Sequence, residues 1–300
     1  MAPTNEIESL QKGSIYCMLQ PLIRSKKQLD EYYSRLQQNA NTAENRKCKR
    51  CKIEYKVEME SKGVPKPLDE NNLCKFHSCR VIFNKFPDEY YYACCNSNFN
   101  AHTNFGRKIK PCTTHNYHIS ENPAFFKNGI VSSASSRGSN KVVYALECEL
   151  CATVNGYECC RVTLVDEEDK VVYESLVKPE GFIIDYKTEF SGITKEIMEN
   201  GPCKSLKEVQ NDLLKFIKED TILMGYGIND ELTSLKLHHD MLINTVIIET
   251  RRRHPFKRNS VRDVAENLVL ERMHHEIRRK NEKDNSSACL SWRIFKTIFN

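Results

Sequence analysis

Eight cysteine and histidine residues between positions 48 and 118 carry the most specific chemistry in this sequence. Cys48-x2-Cys51 is followed by Cys74-x2-His77, then the adjacent pair Cys94 and Cys95, then Cys112 and His118. Thiolate and imidazole are the ligands zinc prefers, and an x2 gap lets one turn offer two of them to a single ion. Eight candidates suffice for two tetrahedral structural sites. Neighbouring residues of an extended chain face opposite ways, so Cys94 and Cys95 could each serve a different ion and couple the two. Cys79, His102 and His115 remain as spares. The competing reading is a cysteine-rich segment with reduced thiols. Against it, the segment is lysine-rich and poor in aliphatic residues, and a metal is the simplest replacement for the missing core.

A second constellation lies in Val142 to Cys151, VVYALECELC, where Glu147 and Glu149 are two residues apart. Side chains alternate across a strand, so both acids point to one side, as a sheet does when it offers paired carboxylates to a divalent metal. The plain alternative is the solvated face of an edge strand. A third is the basic run Arg251, Arg252, Arg253, His254, Pro255, Phe256, Lys257 and Arg258. Its interleaved aromatic suits a phosphate backbone plus base stacking. Arg278, Arg279 and Lys280 form a smaller cluster, and Lys47, Lys49, Arg50 and Lys52 surround the first cysteine pair. Such runs also serve as solvated surface or as a nuclear-import address.

The elements that must hold these groups follow from periodicity. Residues 14–38 place apolar side chains at helical spacing, and Pro21 divides them into two short helices expected to pack on a neighbouring unit. Residues 120–140 contain SSASSRGSN and read as an exposed connection. Beyond it the pattern turns α/β. The strand at 142–151 is followed by strands at 157–166 and 170–179, predicting three adjacent antiparallel strands with a hairpin turn at the polar EED. A helix over Ser205–Lys218, a central strand over Thr221–Gly225, and a helix over Asp230–His238 capped by Asn229 come next. Val246–Glu249 suits a last strand, and helices near Ser260–Leu270 and Ser287–Phe299 close the unit. Four parts result: a helical segment 1–46, a zinc-binding module 47–119, a connection 120–140 and an α/β domain 141–300.

At 300 residues the chain can bury a substantial core. It has no apolar run long enough for a membrane span and no secretory signal, which predicts an intracellular protein. There, 14 cysteines are not a disulfide framework. The net charge of +5 permits a nucleic-acid partner without requiring one.

The motifs taken together resemble one family. YALECELC is similar to the first motif, ALDCEMC, of the RNA-exonuclease-one-like branch of the DEDDh 3′–5′ exonucleases. VTLVDEEDKVVYESLVKPEGFIIDYKTEFSGIT resembles that branch's strand hairpin and its VKP…I-DY-T-FSG-T segment. LMGYGINDELTSLKLHH is similar to its second motif, and PFKRNSVRDVAENLV to the run that follows. The ligand pattern from Cys48 to His118, with LCKFHSCR in its middle, resembles the branch's zinc-binding region. The resemblance covers almost the whole chain. It implies a ribonuclease H-like fold with a mixed five-stranded sheet and flanking helices, preceded by the zinc module.

In that family four carboxylates hold two divalent metals, and a histidine five residues before the last aspartate activates water. This chain departs at four of the five positions. Glu147 stands for the first Asp while Glu149 is retained, and Glu231 stands for the Asp of the second motif. Asn285 stands for the third Asp, and Lys280 for the histidine. Magnesium demands near-octahedral oxygen at ~2.0–2.1 Å, so a carboxylate one methylene longer must buckle or move the ion. Asn285 lacks the charge that balances a cation, and Lys280 is protonated at neutral pH and cannot take a proton from water. Loss of one such group costs about 10²–10⁴ in rate. The resemblance therefore implies a catalytically impaired exonuclease-like protein that binds RNA, protein partners or both, and the basic runs predict a nuclear location. It would carry two structural zinc ions and hold magnesium or manganese poorly in the exonuclease-like site. The alternatives are an active 3′–5′ exoribonuclease with an unusual ion preference and an interaction scaffold that binds no nucleic acid.

Overall fold

In the computed structural model of the chain, the described residues are 15–25, 27–29, 31, 42, 44–60, 63–78, 81–84, 89–92, 94–99, 110–133, 135, 141–168 and 170–244. The centre of the fold is a mixed sheet. Its strands are β1 (Val143–Thr153), β2 (Gly156–Val165), β3 (Val171–Lys178), β4 (Ile183–Asp185), β5 (Lys204–Ser205), β6 (Ile222–Gly225) and β7 (Leu242–Asn244). The order is β5-β3-β2-β1-β6-β7, with β4 paired to the far end of β1. β1, β2 and β3 are antiparallel, whereas β1, β6 and β7 run parallel. The expected five-stranded mixed sheet is therefore present, as β3-β2-β1-β6-β7, with β4 and β5 as short additions. The last strand among the described residues lies at Leu242–Asn244, and the expected Val246–Glu249 strand falls outside them.

Alternation decides what each face of β1 meets. The even-numbered Leu146 and Cys148 join Val162, Leu164, Val209 and Leu213 in the larger core cluster. The odd-numbered Val143 and Ala145 join Val165, Ile222, Met224 and Ile243. The larger face is covered by α3 (Leu206–Phe216), whose start is fixed by a capping box between Ser205 and Glu208. The opposite face is covered at one end by α1 (Ile15–Leu19), which buries Tyr16 and Leu19 there. Burying a leucine such as Leu19 contributes about 1.5–3 kcal/mol. A 3₁₀ turn over Gln20–Leu22 follows, with Pro21 in its first turn.

Two expectations need correction. The helix expected to start at an Asn229 cap is α4 (Ile228–Ser234), capped by Gly227 at φ 75°. The chain leaves β6 through a left-handed residue, which glycine adopts without a Cβ clash, so the helix starts earlier than an asparagine cap suggests. It also ends earlier, because Lys236 turns left-handed at φ 50° and Leu237–His238 pairs as a parallel strand with Val131–Ser132. That pairing corrects the second expectation. Ser120 is buried, Asn122 N–H donates to the Asn155 carbonyl at 2.8 Å, and α2 (Pro123–Lys127) forms a short helix. The connection up to residue 133 is thus tied to the α/β unit by strand pairing and hydrogen bonds, while residues 134 and 136–140 lie outside the described residues. The helices expected near 260–270 and 287–299 lie outside them too. No helix among the described residues is long and apolar enough to cross a membrane.

Candidate functional site

The first Cys/His group is built on a tight knuckle. Cys48 N–H donates to the Ile53 carbonyl at 2.8 Å and Lys52 N–H to the Cys48 carbonyl at 3.1 Å. Lys52 closes the turn at φ 65°, and Arg50 N–H points at Cys48 Sγ from 3.4 Å. Cys74 opens the strand Cys74–Phe76, whose antiparallel partner Thr113–His115 leads on to His118. The ligand atoms of Cys48, Cys51, Cys74 and His118 lie within 4.8 Å of one another. Cys48 and Cys74 Sγ are 3.7 Å apart, and Cys51 Sγ is 3.3 Å from His118 Nδ1. A tetrahedron with Zn–S of ~2.3 Å and Zn–N of ~2.0 Å has edges of ~3.5–3.8 Å, so these separations suit a zinc ion. A disulfide would need about 2.05 Å. Contact with Cys74 pulls the Cys48 thiol down to about 3 against the effect of burial, and the same contact pushes Cys74 up. A thiolate is the form a metal requires.

The second group comprises His77, Cys94, Cys95 and Cys112, again with ligand atoms within 4.8 Å. His77 Nδ1 lies 3.8 Å from Cys94 Sγ and 3.5 Å from Cys95 Sγ, and the Cys94 and Cys112 sulfurs are 3.4 Å apart. The His77 ring stacks on Tyr92 at 3.6 Å and 9°. The partition corrects the sequence expectation in two ways. Cys94 and Cys95 share one group, because the chain turns at this point. Cys95 N–H and Asn96 N–H both return to the Tyr92 carbonyl, and Asn96 is left-handed at φ 52°. Cys74 and His77 are divided between the groups, because Cys74 lies on a strand and the x2 gap is extended, so the ladder separates the two centres. His115 pairs opposite Cys74 but belongs to neither group, and the other spares, Cys79 and His102, lie outside the described residues.

The carboxylates lie at the middle of β1. On the side away from β2, β1 pairs with β6 at residues 143–145 and with β4 at 152–153. Glu147 and Glu149 share a face in the interval between, where α4 approaches. Glu231 comes from α4 and is 8% exposed. Its Oε2 is buried without a hydrogen-bond partner and lies 2.8 Å from where a Cβ on Gly225 would stand. Burial pushes the Glu231 carboxyl well up, the Cys148 thiol and Glu147 push it further, and the Cys148 amide counters them. Burial also raises Glu149, against the opposing pull of Arg161 and Lys187. Glu147, Glu149 and Glu231 do not form one set with all ligand atoms within 4.8 Å. Among the described residues, the two Cys/His groups are the only sets of three or more donors within 4.8 Å.

Sequence reasoning missed four neighbours of this face. Arg161 Nη2 stands 3.6 Å from Glu149 Oε1 and donates to the Ser191 carbonyl. It lies opposite Glu149 because of a one-residue irregularity between Cys159 and Arg161 in the β2 register. Asn155-Gly156 is a hairpin signal from which the register could have been counted, but the irregularity shifts that count. Lys187 is left-handed at φ 52°, and its Nζ sits 5.0 Å from the Tyr157 ring centroid and 5.2 Å from that of Phe190. Burial lowers the Lys187 ammonium, while Asp185 and Glu149 support its charge. Arg50 and Asp185, an ion pair, complete the set. The remaining predicted positions, Lys280, Asn285, Arg251, Arg252, Arg253, Lys257 and Arg258, lie outside the described residues.

Comparison with known proteins gives the same picture at family level. The RNase_T exonuclease family model matches residues 156–283, a stretch that begins after Glu149 and ends before Asn285. The human putative exonuclease GOR is 31% identical over 257 residues, 84% of this chain and 36% of its own length. RNA exonuclease 1 of Saccharomyces cerevisiae is 43% identical over 106 residues, covering 35% of this chain and 19% of the relative. The chain thus spans little more than a third of the first relative and less of the second. The solved catalytic unit of Neurospora crassa Pan2 is similar at 18% identity and a TM-score of 0.45, over 57% of this chain and 30% of that one, a likeness too slight to argue from. On the sequence matches, the chain is similar to the RNA-exonuclease-one-like branch of the exonucleases.

Proposed function

We propose that this chain is a catalytically impaired member of its family that acts by binding RNA and protein partners. Its organisation in this reading is a helical segment 1–46, a module 47–119 held by two structural zinc ions, a connection 120–140 and an exonuclease-like domain 141–300. The observation that carries the impairment is the burial of Glu231. Its Oε2 lies against Gly225, and it does not fall with Glu147 and Glu149 in one donor set within 4.8 Å. Magnesium takes one or two carboxylates together with waters and substrate phosphates in a near-ideal octahedron, and a glutamate buried against Gly225 is poorly placed to complete it. Glu149 already has Arg161 as its counter-charge. Asn285 and Lys280, in the family positions of an acid and a base, extend the same loss.

The zinc assignment is supported by donor chemistry, three thiols and one imidazole in each group, and by separations that suit tetrahedral edges. The ions would supply the cohesion that a module with few aliphatic side chains lacks, and no chemistry. RNA binding is supported by the family and by the basic runs at 251–258 and 278–280, which also suit a nuclear-import address.

One observation favours the alternative of an active enzyme with an unusual ion preference: a buried, unpartnered carboxylate oxygen such as Glu231 Oε2 can be satisfied by a cation. End-labelled single-stranded RNA incubated with magnesium or manganese decides between the two. No shortening at the 3′ end is expected. Time-dependent shortening that disappears in Glu149→Ala would establish the active enzyme.

A further inference from the structure

We infer that Arg50 is a positioning residue for the carboxylate face: it transmits the placement of the Cys48 knuckle to Asp185, and through Asp185 to the Lys187 turn beside Glu149. The inference rests on the metal-centre reading above only for what holds the knuckle in place. Arg50 is the third residue of the Cys48–Cys51 turn, so its backbone moves with two of the four ligands of the first centre. Its side chain is 8% exposed, lies over the Phe76 ring at 4.7 Å, and pairs one terminal nitrogen with Asp185 Oδ2. The other, Nη1, is buried without a hydrogen-bond partner. The guanidinium is therefore committed to a single acid.

Asp185 uses its second oxygen, Oδ1, to accept the Lys187 N–H at 2.8 Å. It also ends β4, which is pinned to β1 at Ala152. Lys187 then adopts φ 52°, a left-handed conformation that lysine rarely takes. The Asp185 bond holds this conformation, and it sets the ammonium between the Tyr157 and Phe190 rings and beside Glu149. The other charged contact of the knuckle, Lys49 with Glu121, leads towards residues 121–127 instead. Lys49 also stands 5.4 Å over the Tyr157 ring, so among the described residues the Arg50–Asp185 pair is the ion-pair route from the knuckle to the Lys187 turn. A shift of the knuckle would release the turn at its least favourable residue.

Hydrogen exchange read by mass spectrometry on the full zinc-loaded chain tests the relay. Arg50→Ala should raise exchange in 185–193 by roughly 10-fold to 100-fold, the range expected for one lost charge-assisted bond, with 222–225 unchanged. Arg50→Lys should restore most of the protection. Asp185→Asn, which leaves the knuckle untouched, should reproduce the loss, and so should stripping the metal from wild type with a chelator. Wild-type exchange in both Arg50→Ala and Asp185→Asn overturns the inference, as does a rise spread equally over 222–225. Affinity for a fluorescein-labelled single-stranded RNA serves as the second readout. A wild type that binds no RNA sinks the RNA-binding reading and leaves the exchange result to decide the role of Arg50.

Discussion

Glu158 is a buried acid whose loss should be felt well beyond its own position. It is 5% exposed on β2 and takes four donors. Thr153 Oγ1 at 2.6 Å, Asn155 Nδ2 at 3.1 Å and Gly181 N–H at 3.1 Å reach Oε1, and Glu180 N–H reaches Oε2 at 2.8 Å. The carboxylate thereby fastens the β1–β2 hairpin to the loop that enters β4. Gly181 is needed for this approach, since a Cβ there would fall 2.6 Å from Oε1. Glu158→Ala leaves the four donors without their acceptor. The Thr153 and Asn155 side chains can turn to other partners, whereas the two backbone amides are fixed by the loop. At about 1–3 kcal/mol for each stranded donor, and with partial relaxation, the loss should be roughly 3–5 kcal/mol. For a chain of this size that corresponds to about 6–20 °C in Tm. Glu158→Gln should fall between wild type and alanine, because it keeps an acceptor on the Oε1 side and turns an amide N–H₂ against Glu180 N–H. The assay is thermal unfolding of the full chain by circular dichroism. The control is Glu174→Ala on the exposed side of β3, expected within about 0.5 kcal/mol of wild type. If Glu158→Ala melts no more than about 2 °C below that control, the carboxylate is not the fastener described, since one stranded amide alone exceeds that shift.

Three further outcomes follow from the same geometry. Gly225→Ala puts a Cβ 2.7 Å from the Leu146 carbonyl and 2.8 Å from Glu231 Oε2, so it should cost about 1–3 kcal/mol in urea unfolding. His239 is buried as a neutral ring, with Nε2 on the Thr221 carbonyl at 2.6 Å and Nδ1 on Ser133 Oγ at 3.0 Å, and burial lowers its pKa. Stability from a depressed histidine is complete above its unfolded value near 6.5 and is lost as pH falls through it, so His239→Gln should flatten the stability profile between about pH 7 and 5. Metal analysis of purified protein should find about two zinc ions per chain, and Cys112→Ser should lower occupancy of the second centre while sparing the first. Fewer than about one zinc per chain would sink the two-centre assignment.

Much of this fold is legible in the sequence because alternation and apolar runs leave few choices. The odd–even division of β1, the capping box at Ser205 and the apolar β6 each follow from residue type alone. So does the list of eight cysteine and histidine residues that the structure gathers into two groups. The partition of those ligands is not legible, because spacing does not reveal that Cys74 lies on a strand while Cys94 and Cys95 occupy a turn. Arg161 was hidden for a related reason. Its place opposite Glu149 depends on one extra residue in β2, and a slip of one residue moves a side chain to the other face. Lys187 was hidden by its backbone, since nothing in a lysine announces a left-handed turn. The start of α4 was sought at a polar cap, and a left-handed glycine took that role.

The two Cys/His groups are nested along the chain, with the four ligands of the second enclosed between Cys74 and His118 of the first. Nesting couples the two centres. In the proposed zinc-loaded form, His118 must close a loop of roughly 44 residues back to Cys74 if the inner centre is empty, and an effective loop of about 9 once it is filled. Loop-closure entropy makes that difference worth about 1.4 kcal/mol. The inner ion therefore raises the affinity of the outer centre roughly tenfold without touching it, and on a growing chain Cys112 emerges before His118. By linkage the outer ion raises the affinity of the inner centre by the same factor, so the two centres should fill and empty together rather than independently.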